Sequence, residues 1–226
     1  MNRGSLALSL AATLLAVSAT GAATLTPVAQ NRQVTGSSFA MDSATSNTDS
    51  DSHTAPDFSA FNQGASALVS LSGALGAGSG HQNSQLTATA ITAVGGHAAN
   101  GEGWEESGWG DGSGRSLFDV TFTVDASVDY SLTGAIEAFD SGDTQIDFSG
   151  PGGVIYQDWA NGIILPVSQT GTLAPGTYTL LIDSQGGAYG DFFSYGYASG
   201  YYDVTLQLLA VDAPAVGGAV VQGASP

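Results

Sequence analysis

The chain has 226 residues with 32 Gly, no Cys and a formal charge of -17, since only three Lys plus Arg stand against 20 Asp plus Glu. So few cations leave no electrostatic grip for nucleic acid or an anionic lipid surface, and the absence of Cys excludes disulfide scaffolds, thiolate nucleophiles and cysteine-ligated metal. Charged residues make up 10% against 42% hydrophobic, so the acidity reflects missing cations in a globular, β-forming chain and not a densely charged disordered one.

In chain order, Met1-Asn2-Arg3 supplies a positive start, residues 6–17 an apolar run, and Ser18-Ala19-Thr20-Gly21-Ala22-Ala23 a small-residue stretch. This is the pattern of a secretory signal over residues 1–22, too short to span a bilayer, and it predicts a secreted protein of the extracellular space, periplasm or cell surface. Residues 23–57 are rich in Ser, Thr, Asn and Asp and read as a polar lead-in with one edge strand expected around residues 32–39. From residue 58 the pattern alternates. Ala67, Val69 and Leu71 share one face, and Leu86, Ala88 and Ala90 repeat the two-residue period of a half-buried strand.

Residues 101–114 hold glycine at nearly every second position and read as a loop, because glycine weakens strands. Phe118, Val120, Phe122 and Val124 form an apolar face, and Val128, Tyr130, Leu132 and Ile136 resume it after a turn, which predicts two adjacent strands. Gly150-Pro151-Gly152-Gly153 is a compact turn after Ile146 and Phe148. Leu173-Ala174-Pro175-Gly176 predicts a type II turn with positive φ at Gly176. Tyr178, Leu180 and Ile182 make the next inward face, and Tyr202, Val204, Leu206 and Leu208 the last. Many short strands with Gly/Pro turns and no helical period predict an all-β, antiparallel, jelly-roll-like β-sandwich over residues 58–211. Residues 212–226, small and uncharged apart from Asp212, are expected to form a disordered tail and lack the apolar length of a membrane anchor.

The segments Phe118-Asp119-Val120-Thr121-Phe122, Tyr130-Ser131-Leu132-Thr133-Gly134, Gly171-Thr172-Leu173-Ala174-Pro175-Gly176-Thr177-Tyr178-Thr179-Leu180 and Tyr202-Asp203-Val204-Thr205-Leu206 give the C-terminal half a resemblance to bacterial pre-peptidase C-terminal β-sandwich modules. The chain also looks like exported proteins that carry PEP-CTERM-like sorting tails, although no such tail follows residue 214 here. The resemblance implies a compact accessory or surface module without catalysis of its own.

No Gly-x-Ser-x-Gly elbow, His-Glu-x-x-His pair or phosphate-binding loop occurs, so no enzymatic activity is expected. His53, His81 and His97 read as solvated loop histidines. Two site hypotheses remain. Trp104 and Trp109 among Glu105, Glu106 and Asp111 form a loop platform suited to a carbohydrate, with flat rings to stack on sugars and carboxylates to accept from hydroxyls. Tyr189, Phe192, Phe193, Tyr195, Tyr197, Tyr201 and Tyr202 are a second aromatic group, of which Tyr202 belongs to the core. Asp140, Asp143 and Asp147 offer three carboxylates to a calcium ion, though Asp and Gly are also ordinary turn residues. No other cofactor is expected. The expected role is a structural, adhesive or surface-matrix protein, with polysaccharide binding as the alternative and extracellular polysaccharide or surface proteins as partners.

Overall fold

A computed structural model describes residues 22–210, which form twelve strands and no helix. In chain order these are β1 (Leu25–Met41), β2 (Ser46–Thr54), β3 (Phe61–Ser70), β4 (Ala74–Leu86), β5 (Ala90–Gly103), β6 (Trp109–Val124), β7 (Val128–Asp140), β8 (Gly142–Gly150), β9 (Gly153–Ala160), β10 (Ile163–Leu173), β11 (Gly176–Asp191) and β12 (Tyr195–Leu209). They build two six-stranded antiparallel sheets, β2-β1-β6-β11-β8-β9 and β10-β7-β12-β5-β4-β3, stacked as the expected β-sandwich. The predicted signal peptide, except its last residue Ala22, and the predicted tail lie outside the described residues.

Three structural layers fill the space between the sheets. At one end the alternating faces of β6, β7, β8, β11 and β12 make an apolar core that includes Phe118, Phe122, Leu132, Ile146, Phe148, Leu180 and Leu206. Burying each such side chain contributes about 1.5–3 kcal/mol. Phe122 stacks on Tyr178 with ring centroids 5.9 Å apart, and the Tyr178 hydroxyl donates to the Ala174 carbonyl at 2.7 Å, tying down the arch between β10 and β11.

A buried polar layer comes next. Arg32 is 0% exposed. Its guanidinium donates to Gln30 Oε1, Ser84 Oγ and the Asp57 and Ser59 carbonyls. Gln82 continues the layer by donating from Nε2 to the Leu117 carbonyl at 2.9 Å and the Tyr202 hydroxyl at 2.8 Å, which leaves Tyr202 to donate to Ser116. The buried polar groups of Arg32, Gln82 and Tyr202 are thereby matched, as a low-dielectric interior requires.

At the far end glycines replace side chains. Gly76, Gly78 and Gly80 of β4 face the main chain of β1 and β6, and Gly110, Gly112 and Gly114 of β6 face the Leu75, Ala77 and Ser79 carbonyls. A methyl group at any of these positions would overlap a carbonyl oxygen of the other sheet. Backbone therefore meets backbone where two layers of side chains ordinarily hold sheets roughly 10 Å apart.

This layer corrects the loop expected at residues 101–114, since β5 runs to Gly103, β6 starts at Trp109 and only residues 104–108 lie between strands. The glycines weaken no strand here, because they point inward at the one place where nothing larger fits. The region read as a polar lead-in with one edge strand holds two strands, and β1 is interior, paired with β2 and β6, while β2 forms the edge. Leu86, Ala88 and Ala90 span the β4–β5 hairpin and are not one strand. The strands around Phe122 and Tyr130 are consecutive but sit in opposite sheets, so the turn between them is an arch across the sandwich. Gly176 lacks the positive φ of a type II turn and instead opens β11 opposite Val124.

Candidate functional site

Four connections meet at the glycine-packed end: residues 42–45, 71–73, 104–108 and 192–194. The last is a tight turn in which the Ser194 N–H donates to the Asp191 carbonyl at 2.7 Å. Its two central residues are Phe192 at φ 38° and Phe193 at φ 63°. Positive φ at both centres defines a type I′ turn, whose ordinary occupants are Asn and Gly. Two bulky aromatics there are strained, and both rings are exposed, Phe193 to 71%. Neither burial nor backbone preference accounts for them.

The remaining rings divide between the two outer faces. On the first sheet Trp109 lies between Phe39 of β1 and Tyr189 of β11, with centroids at 5.2 and 5.7 Å. Strand register sets this row, since Asp111 pairs with Phe39 on one side and Tyr189 on the other. Asp111 is exposed on the same face, and the Tyr189 hydroxyl donates to Asp191 at 2.6 Å. Partial burial raises the Asp111 pKa.

On the second sheet Trp104 borders a hollow with Phe193, Tyr195, Tyr197 and Glu102. The Trp104 N–H donates to the Gly73 carbonyl at 2.8 Å. The hollow measures about 220 Å³, below the roughly 300–1,000 Å³ of an enclosed small-molecule pocket. Trp104 and Trp109 thus belong to separate aromatic groups, because residues 104–108 carry the chain from one sheet to the other. Glu105 and Glu106 lie exposed in that connection. The Tyr/Phe run is divided in the same way: Tyr189 joins Trp109, whereas Phe193, Tyr195 and Tyr197 join Trp104.

The three carboxylates considered for calcium are spread out. Asp140 ends β7 at φ 57°, Asp143 accepts from Asn161 Nδ2 at 2.7 Å, and Asp147 lies four residues further along β8. At about 3.3 Å per strand residue this separates the last two by roughly 13 Å along the strand. Among the described residues no three His, Asp or Glu side chains gather as a metal-holding group.

All three histidines lie on strands, which corrects the loop reading. His81 stacks beside Tyr201, and His53 sits 3.5 Å from Asp51. His97 is buried, with Nδ1 2.8 Å from Ser184 Oγ, while Ser184 lies 2.9 Å from Thr144 and Thr144 donates to the Glu137 carbonyl. That last bond fixes the direction of the chain. Thr144 accepts from Ser184, Ser184 accepts from His97 Nδ1–H, and Nε2 is left as a bare, buried lone pair against Gly142 and Gly186. Burial pushes the His97 pKa down to about 4, against the opposing pull of Asp143 and Asp183. A His–Ser contact suggests a nucleophile and its base, but Ser184 is fully buried and its proton is directed to Thr144, so no substrate carbonyl can reach it.

No protein-family model matches the chain, and no curated protein matches it.

Proposed function

We propose that this chain is an exported, non-catalytic β-sandwich that binds carbohydrate at its aromatic end. The observation that carries the reading is the row of Phe39, Trp109 and Tyr189 rings on the outer face of the first sheet, at the end of the sandwich that also holds the strained Phe192-Phe193 turn. Strain held together with exposed apolar surface is characteristic of functional sites. The row on the first sheet offers rings to a pyranose face, and Asp111 and Asp191 supply acceptors for its hydroxyls. The burial of the Ser184–His97 pair supports binding without catalysis.

The test is affinity electrophoresis through a panel of neutral polysaccharides. The protein is expected to be retarded by at least one, and a Trp109→Ala/Tyr189→Ala variant with unchanged far-ultraviolet circular dichroism is expected to run free. Unretarded migration of the parent protein through the whole panel overturns the reading.

A further inference from the structure

The hollow on the second sheet has a different chemistry from the row on the first. We propose that it binds a small organic cation bearing an alkylated ammonium group. Four aromatic residues, Trp104, Phe193, Tyr195 and Tyr197, line it together with Glu102, Gly103 and Ser194. Tyr195 pairs directly with Glu102 across β5 and β12, and Tyr197 is the next residue on that outer face, its ring 5.5 Å from that of Tyr195. Trp104 follows Glu102 by two residues and is fixed through its backbone to Gly73. Phe193 is delivered by the strained turn.

The choice of ligand follows from the donor set. Ring faces carry negative quadrupole charge and attract a cation within about 6 Å of their centroids. They offer no lone pairs to a hard metal ion, which needs about six to eight oxygens where Glu102 supplies only two. An alkylated ammonium spreads its charge over methyl groups, sheds water readily and presents to each wall a surface that is both apolar and positive. The hollow of about 220 Å³ suits a head group of that size.

Asn100 Nδ2 donates to Glu102 Oε1 at 2.8 Å, but no cationic side chain of the described residues competes for the place. Arg32 is buried in the interior and Arg115 is held by Asp183 through two hydrogen bonds of 2.8 and 2.7 Å. The formal charge of -17 further concentrates cations at the surface. This site shares no ring with the Phe39, Trp109 and Tyr189 row, so it stands or falls apart from the carbohydrate reading.

The full chain is titrated with choline chloride by isothermal calorimetry at low ionic strength, beside the uncharged isostere in which a quaternary carbon replaces the nitrogen. Saturable choline binding is expected, with the isostere weaker by about tenfold or more because it lacks the charge that the rings and Glu102 attract. Trp104→Ala and Glu102→Gln are each expected to weaken choline binding by about fivefold or more, and Trp109→Ala to leave it unchanged. No saturable heat with choline, equal binding of the isostere, or unchanged binding by a folded Trp104→Ala variant would overturn the proposal. A chain that binds choline but no polysaccharide would leave this site standing and remove only the other.

Discussion

The Asp49 carboxylate on β2 accepts the backbone N–H of Leu68 on β3 at 3.1 Å, and Asp51 does the same for Ser66 at 3.3 Å. These strands are the adjacent edges of opposite sheets, and β3 pairs only with β4, so two side chains occupy N–H groups that an incoming strand would otherwise use. An Asp49→Ala/Asp51→Ala variant is expected to lose about 1 kcal/mol of stability and to self-associate with rising concentration. Light scattering after gel filtration checks this. A variant that stays monomeric at every concentration shows that the edge is protected in some other way.

The inward glycines make a sharp prediction. Gly112→Ala places a methyl group onto the Ala77 carbonyl, and neither sheet can yield without moving its whole backbone. The expected loss is about 3 kcal/mol or more. Gly152→Ala, in the open turn between β8 and β9 with no atom within 4 Å of the new methyl, is expected to be neutral or slightly stabilising. Urea midpoints of the two variants decide it, and equal midpoints would disprove the backbone contact.

His97 sets an acid limit. Its folded pKa of about 4 lies below the unfolded value near 6.5, so between these values the unfolded chain binds a proton that the folded one refuses. The contribution is fully present above pH 6.5 and is lost as pH falls towards 4, amounting to about 3 kcal/mol. Nuclear magnetic resonance of the imidazole should show His97 neutral at pH 5, where free histidine is charged. Protonation in the folded state near the free value would refute the buried, unpartnered Nε2.

The strained turn predicts an inverse relation between stability and function. Phe192→Asn/Phe193→Gly supplies the residues that the type I′ geometry favours, and relief of left-handed strain at about 1–2 kcal/mol per residue should raise the urea midpoint. The same variant should bind choline more weakly through loss of the Phe193 ring. A lowered midpoint would mean that the two rings stabilise the end they sit on.

Legibility in the sequence followed side-chain contrast. The faces of β6, β11 and β12 alternate Phe, Val, Leu and Tyr with Asp and Thr, and their burial could be read directly. Strand β1 turns Arg32, Val34, Gly36, Ser38 and Ala40 inward, a set without the apolar contrast that marks a buried face. The glycine strands failed for a related reason, since glycine has no side chain with which to display a face. Their signal was the spacing itself, Gly76, Gly78, Gly80 and again Gly110, Gly112, Gly114, with a two-residue period. At the aromatic end the ring-bearing residues were visible, but their grouping depended on which sheet each strand joins. Trp104 and Trp109 are five residues apart and face different surfaces for that reason alone.

The glycine-packed end also bears on temperature. Unfolding there exposes mainly peptide groups, whose hydration lowers heat capacity, whereas unfolding of the apolar end raises it. The heat-capacity change per residue should therefore fall below the usual 12–15 cal/mol/K or so, and scanning calorimetry would measure it. A smaller value flattens the stability curve, so this molecule should lose little of its stability between a warm environment and a cold one.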